Sequence, residues 1–109
     1  ALAEEGAAGT MIFDEIDRGV GGAVASAIGD RLARLAEKTQ LLVVTHSPQV
    51  AARGAAHFFI AKSSDGTVTR TGVRLLDETE RREEIARMLS GAEVTVEARA
   101  QAGRLLEGV

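Results

Sequence analysis

The sequence predicts an α/β fold with a parallel βαβ core, an added edge hairpin and C-terminal helices. Two short apolar runs, TMIF at residues 10–13 and LLVV at residues 41–44, bracket a stretch in which apolar residues recur every three or four positions. Two further runs, between residues 57 and 73, flank a polar turn. Strand, helix and strand in this order favour a parallel pair with a right-handed crossover.

The two apolar runs and the segment between them predict the core. Residues 10–13 and 41–44 are short and continuously apolar, which is typical of strands buried on both faces. From residue 20 to about residue 38 the spacing predicts a helix. Its apolar face would consist of Val20, Val24, Ile28, Leu32 and Leu35.

The second half of the chain predicts shorter elements. Ser47 as N-cap and Pro48 at the first helical position predict a short helix to Arg53, ended by Gly54. Residues 57–61 predict a third strand, residues 62–66 a turn, and residues 67–73 an edge strand, so this pair should form a hairpin.

Two helices are predicted at the end of the sequence. Asp77 caps one from residue 78 to about residue 90, with Glu80 at the capping-box position and an apolar face of Ile85, Met88 and Leu89. Its charged run, residues 78–84, should be a solvated face with paired charges. Gly91 ends this helix, and Thr95 caps another that reaches about Leu106.

Composition sets limits on function. The 109 residues are 45% hydrophobic and 27% charged, which suits one domain with a modest core. The net charge of −3 and an aromatic content of 3%, all phenylalanine, argue against a chain that grips nucleic acid by itself. Cysteine is absent from the sequence, which excludes disulfides and thiolate metal sites and fits a reducing cytoplasm.

Acidic residues follow the first predicted strand, and a histidine follows the second. Asp14, Glu15 and Asp17 should share one sheet edge with His46, because the carboxyl ends of parallel strands meet there. Three apolar residues before Asp-Glu form the Walker B pattern, in which the aspartate holds Mg²⁺ through water and the glutamate polarises the attacking water. The same pattern fits two solvated acids about equally well.

Gly19, Gly21 and Gly22 open the predicted helix, where backbone N–H groups can bind phosphate. The spacing matches neither the dinucleotide fingerprint nor a P-loop, so a flexible turn with close helix packing is favoured from these residues alone. His57, at the start of a strand, is interpreted as structural.

Three segments together are more specific than any of them separately: residues 11–22 (MIFDEIDRGVGG), 45–52 (THSPQVAA) and 84–91 (EIARMLSG). They resemble the C-terminal lobe of ABC-type ATPase heads of the SMC-like class, and within that class the RecN-type bacterial DNA repair ATPases. The resemblance covers residues 2 to 106, so we interpret residues 1–109 as one such lobe.

The resemblance implies a role for each candidate residue. Asp14 is similar to the Walker B aspartate that holds Mg²⁺, and Glu15 to the catalytic glutamate. His46 is similar to the switch histidine that contacts the γ-phosphate of ATP. The segment from Asp17 through Gly19, Gly21 and Gly22 lies where the D-loop meets a second head across the nucleotide.

The resemblance also implies partners and a location. The sequence has neither a Gly-x-x-x-x-Gly-Lys-Ser/Thr motif nor a Ser-Gly-Gly motif. We therefore expect the P-loop lobe, the signature motif and the coiled coil to lie outside this chain, with residues 1–5 as the end of the signature helix. A second head in an ATP-sandwiched homodimer, DNA, and a bacterial cytoplasm near the nucleoid are implied as well. The chain alone should neither hydrolyse ATP nor bind it tightly.

Three other interpretations remain open from the residues. The chain could be a non-catalytic docking or dimerisation module whose acids are solvated, or the head of another SMC-like or ABC ATPase. It could also be a metal-dependent phosphoesterase with Asp14, Glu15 and Asp17 as direct ligands, which would require further carboxylates or histidines nearby.

Overall fold

The computed structural model describes residues 9–91 and 93–108, so the predicted signature-helix end at residues 1–5 lies outside the described residues. The elements in chain order are β1 (Thr10–Asp14), α1 (Gly22–Leu35), β2 (Gln40–Val44), α2 (Pro48–Ala51), β3 (Phe58–Asp65), β4 (Val68–Leu75), α3 (Glu78–Ser90) and α4 (Val96–Glu107). No helix among the described residues is long and apolar enough to cross a membrane.

The predicted βαβ unit is present. Strands β1 and β2 pair in parallel, with Thr10 opposite Gln40 and Asp14 opposite Val44, and α1 connects them. The prediction that these strands are buried on both faces was wrong for the described residues. Phe13 and Val43 pack against α1, whereas Ile12 is 56% and Leu42 47% exposed. Successive side chains point to opposite faces of a strand, and the described helices cover only one face of this sheet.

Helix α1 begins at Gly22 and ends at Leu35, so the predicted helix was too long at both ends. Its buried face consists of Ala25, Gly29 and Leu32, whereas Val24 is 53% exposed. Small residues face the neighbouring α2, because a Cβ at Gly29 would lie 3.2 Å from the Gln49 carbonyl oxygen and 3.4 Å from Val50 Cα. The close approach of the two helices at Gly29 therefore leaves no room for a larger side chain at that position.

The predicted hairpin is present, but its turn is not at residues 62–66. Strand β3 continues to Asp65, which pairs with Val68, so the turn consists of Gly66 and Thr67. Gly66 has φ of +66°, a conformation that favours glycine in two-residue hairpin turns. Among the described residues β3 and β4 form a separate two-stranded antiparallel sheet.

The C-terminal helices follow their predicted signals. Asp77 and Glu80 form a reciprocal capping box at the start of α3, and Gly91 ends that helix at φ of +84°. Thr95 accepts a hydrogen bond of 3.0 Å from the Ala98 amide at the start of α4. Helices α2, α3 and α4 share a core whose buried members are Ala52, Ile85, Ala86, Ala98 and Ala102.

Arg81 departs from the prediction of a solvated charged face. Its guanidinium is half-buried and donates hydrogen bonds to the carbonyl oxygens of Ala51 and Gly54, and more weakly to that of Ala52. A cation at the C-terminus of a short helix satisfies carbonyls that have no partner within the helix. Arg81 therefore ties α3 to the end of α2. Elsewhere on this run Glu83 pairs with Arg99 of α4, as a charged surface pair.

Candidate functional site

The site lies where β1 and β2 end side by side. The Glu15 amide donates a hydrogen bond of 2.7 Å to the Val44 carbonyl oxygen, which extends the parallel pairing by one residue. Glu15 then adopts a φ of +51°, a left-handed conformation that is uncommon for residues other than glycine. Gly19 completes the turn with φ of +80°. The chain thus turns sharply directly after the strand, and this turn orients the Glu15 side chain.

The two strand ends bring Glu15 and His46 together, as the sequence predicted. His46 Nε2 lies 3.2 Å from Glu15 Oε1, within hydrogen-bonding distance. The His46 side chain is 88% exposed and the Glu15 side chain 34% exposed. Both groups are therefore accessible to a ligand from outside, and each can hold the other in place.

Asp14 lies apart from this pair. It is the last residue of β1, on the exposed face that also carries Ile12, whereas Glu15 belongs to the turn. The strand therefore directs the Asp14 side chain and the turn directs that of Glu15, so the two neighbouring acids point differently. Their predicted roles at a metal ion and at a water stay predictions. Glu15 lines the pocket described below, and Asp14 does not.

Asp17 is turned into the protein. It is only 7% exposed, and its Oδ2 accepts a hydrogen bond from the Thr45 hydroxyl. One of its carboxylate oxygens is thus already used by a neighbouring residue of the same chain. Its predicted contact with a cofactor stays a prediction.

A pocket of about 590 Å³ opens beside the Glu15–His46 pair. Its floor and walls come from the turn after β1, the starts of α1 and α2, and the end of α3. Of the predicted glycines, Gly19 and Gly22 line it. The α1 N-cap is Gly21, which has no side chain to accept from the helix amides. The lining combines polar residues, among them Ser47 and Gln49, with the apolar side chains of Met88 and Leu89 from α3.

The structure gives different reasons for glycine at the three predicted positions, 19, 21 and 22. Gly19 is required by its positive φ, and a Cβ at Gly22 would lie 3.3 Å from Gln49 Nε2. A Cβ at Gly21 would meet nothing within 4 Å among the described residues. Within this chain, local geometry requires glycine only at Gly19, because the Gln49 side chain can move aside from a Cβ at Gly22.

Direct coordination of a metal by three acids is not supported. Among the side chains that the structure describes, no group of three or more histidine, aspartate or glutamate residues converges to hold a metal ion. Asp14, Glu15 and Asp17 point to three different surroundings, which disfavours the phosphoesterase hypothesis.

Sequence reasoning missed two parts of the site. The sequence assigned no role to Thr45, although its hydroxyl donates a hydrogen bond to Asp17. The available signal was the position of Thr45. It directly follows the second predicted strand, as the acids follow the first, so its hydroxyl could have been expected near an acid. The contribution of Met88 and Leu89 had no such signal, because it depends on how α3 packs across the chain.

Similar proteins agree with the predicted resemblance. The chain is 50% identical over 98 residues to a DNA repair protein RecN of Xylella fastidiosa and 53% identical over 98 residues to that of Streptomyces coelicolor. Each match covers 90% of this chain, but 18% and 17% of the respective relatives. A RecN protein of Mycobacterium tuberculosis is 50% identical over 109 residues, which is 98% of this chain and 18% of the relative. The chain thus spans less than a fifth of the length of these relatives.

The fold has a solved counterpart. A structure from work on the structural biochemistry of ATP-driven dimerization and DNA-stimulated activation of SMC ATPases matches 82% of this chain, with a TM-score of 0.60 and 18% identity. This chain covers 52% of that structure, and the likeness concerns the fold. No family model matches the chain. The α/β fold and the resemblance to RecN proteins are confirmed for the segment that this chain spans.

Proposed function

We propose that this chain supplies the hydrolytic edge of a RecN-like ATPase head. Glu15 would polarise the water that attacks the γ-phosphate of ATP, and His46 would contact that phosphate. The observation that carries this proposal is the Glu15–His46 pair, 3.2 Å apart at the adjoining ends of two parallel strands and beside an open pocket. The likeness to RecN proteins in sequence and to an SMC ATPase in fold supports it.

The residues fit one side of a magnesium–triphosphate site. Carboxylate oxygens are ligands that Mg²⁺ prefers, generally with several waters retained, and exposed Asp14 would hold the ion through water. When bound, the ion neutralises charge that develops on the phosphates. Glu15 would orient a water and accept its proton, and the exposed imidazole of His46 would donate a hydrogen bond. The sequence lacks a P-loop lysine, so the other side would come from elsewhere.

In the whole protein, ATP would bring two heads together and hydrolysis would release them. The exposed residues at Arg18–Gly22 would then face the second head, and the cycle would be coupled to DNA double-strand break repair in the bacterial cytoplasm. Because this chain spans less than a fifth of its RecN relatives, these activities would belong to a larger assembly with a nucleotide-binding lobe.

A chimera tests the proposal. This chain would replace the matching 98-residue segment of the Streptomyces coelicolor RecN protein, and ATP hydrolysis would be measured in the chimera and in the 109-residue chain alone. We expect hydrolysis by the chimera and none by the chain alone. Glu15→Gln should lower kcat by about a hundredfold or more, because general-base catalysis typically contributes that much, and should leave ATP binding intact.

The matched control is Glu37→Gln, an exposed acid beyond the end of α1 and remote from the pocket. It should leave kcat unchanged. A chimera that hydrolyses ATP equally well with Gln at position 15 would refute the proposed role of Glu15. Turnover by the isolated chain that disappears with the same substitution would refute the proposed need for a second lobe.

A specific observation keeps a docking module as the second candidate. Ile12, Leu42 and Val44 leave one face of the parallel sheet apolar and exposed. Sedimentation of the chain with and without the rest of the Streptomyces RecN protein, and with and without ATP, separates the two functions. Association that is independent of ATP and of Glu15 would favour docking, whereas association that requires ATP would favour the ATPase head.

A further inference from the structure

Asp17 is the one buried charged group among the side chains that the structure describes. Removing a carboxylate from water is costly unless hydrogen bonds compensate for the lost hydration. The compensation here includes the Thr45 hydroxyl, which donates to Asp17 Oδ2. Asp17 lies two residues after Glu15 and is hydrogen-bonded to Thr45, the residue before His46. Surface charges keep a protein soluble, but a buried carboxylate does not, so solubility does not explain this acid.

The Thr45 hydroxyl is bound on two sides. Its oxygen also accepts a hydrogen bond of 2.9 Å from the Ser47 amide. Thr45 and Ser47 flank His46, so a single side chain fixes the backbone on both sides of the histidine. Ser47 in turn caps α2, because its Oγ accepts from the Val50 amide at 3.4 Å. The path of the chain through His46 is therefore determined from Asp17 to the start of α2.

Asp17 also belongs to the turn that carries Glu15. That turn is closed by the Arg18 amide, which donates to the Glu15 carbonyl oxygen at 3.2 Å, and by the Val20 amide, which approaches the Asp17 carbonyl oxygen at 3.4 Å. Glu15 itself holds an uncommon φ of +51° that the surrounding structure must stabilise. The side-chain bond from Asp17 to Thr45 thus joins the turn that carries Glu15 to the segment that carries His46.

We infer that Asp17 is a positioning residue, which through the Thr45 hydroxyl holds His46 at hydrogen-bonding distance from Glu15. In this role its carboxylate acts on the neighbouring segment of the same chain, through the hydrogen bond that Oδ2 accepts from Thr45. The catalytic consequence of this inference rests on the proposed function, whereas its structural consequence does not. The two can therefore be tested separately.

The structural test uses the isotopically labelled 109-residue chain and follows the His46 ring signals by NMR. Asp17→Ala and Thr45→Val each remove the bond, and both should shift and broaden the His46 signals. Thr45→Ser keeps the hydroxyl and should restore them. Thr71→Val is the matched control, because Thr71 is exposed on β4 and lies outside the pocket. It should leave the His46 signals unchanged.

A double variant separates positioning from general damage. Asp17→Ala and Thr45→Val remove the same bond, so the double variant should displace the His46 signals no further than one substitution alone. Displacements of the His46 signals that add in the double variant would overturn the inference. Unchanged His46 signals in a folded Thr45→Val chain would overturn it as well. If Asp17→Ala prevents folding, the comparison of the near-isosteric Thr45→Val variant with Thr45→Ser still tests whether this hydrogen bond positions His46.

The catalytic test uses the chimera defined above. Thr45→Val should lower kcat by about tenfold or more while changing KM for ATP less than about twofold, because misplaced groups weaken chemistry more than binding. Thr45→Ser should recover most of that loss. A wild-type chimera without turnover would refute the proposed function and leave the NMR result to decide positioning. Full turnover with Thr45→Val would refute positioning and leave the proposed function standing.

Discussion

The helical layer and the two sheets of this molecule differ in how completely they bury their apolar residues. In the layer formed by α2, α3 and α4, Ile85 and Ala102 are fully buried. In the hairpin, Phe58, Ile60, Val73 and Leu75 are between 53% and 65% exposed, and all described β4 side chains are exposed. The hairpin is therefore held mainly by backbone pairing and the parallel sheet packs through one face, whereas packing on all sides forms the helical layer. Exposed sheet faces of this kind are typical of surfaces that other parts of a protein cover.

The largest expected effect tests this difference directly. Ile85→Ala would leave a cavity in the helical layer and should lower the free energy of unfolding by about 2–5 kcal/mol. Ile60→Ala removes the same atoms from a residue that is 55% exposed, and should cost less than about 1 kcal/mol. Denaturant unfolding of both variants measures the contrast. Equal losses would show that the hairpin face is buried in solution, for instance against a second copy.

The next prediction concerns the contact between α1 and α2. A Cβ at Gly29 would lie 2.8 Å from Arg53 Cγ and 3.2 Å from the Gln49 carbonyl oxygen, so Gly29→Ala should cost about 1–3 kcal/mol through overpacking. Gly103 of α4 is the matched control, because a Cβ there would meet nothing within 4 Å among the described residues.

Gly103→Ala should instead raise the free energy of unfolding by up to about 1 kcal/mol, since alanine favours helix interiors. Thermal unfolding of the two variants gives the sign of each change. Stabilisation by both substitutions would show that α1 and α2 have room to separate, and would contradict the packing described for this half of the molecule.

These contrasts also explain how far the sequence could predict the structure. Local signals were sufficient where the cause is local: the caps Ser47, Asp77 and Thr95 and the apolar runs of β1 and β2 all stand where they were predicted. The meeting of Glu15 and His46 could also be predicted, because parallel pairing of two strands dictates which residues share an edge.

Prediction failed where the cause is non-local. Whether a sheet is covered on both faces depends on elements that periodicity does not reveal, so the exposure of Ile12 and Leu42 was not foreseen. The helical face of α1 depends on Gly29 approaching α2, and the burial of Arg81 depends on the carbonyls that end α2. The bond between Asp17 and Thr45 joins residues 28 positions apart and needed the fold to be seen.

The smallest expected effect concerns His57, where the hairpin meets the helical layer. Burial lowers the pKa of His57 from its ordinary value of 6.5, and the nearby charge of Arg81 lowers it further, with Glu84 opposing. Its buried Nδ1 has no hydrogen-bond partner among the described residues. The unfolded chain therefore binds a proton more readily than the folded chain, so stability should fall as pH decreases below about 6.5 towards the lowered pKa.

Unfolding measured from pH 7 to pH 5 isolates this effect. Hydrogen bonds hold the pKa values of Glu80 and Glu83 below their usual 4.5, so the stability that those acids contribute is lost only at lower pH. His57→Asn and His57→Phe both remove the titration and should both flatten the pH dependence, although one is polar and the other apolar. A slope that persists in both variants would place the titrating group elsewhere. A slope that persists in only one variant would mean that another group titrates in this range and that the substitution changes its surroundings.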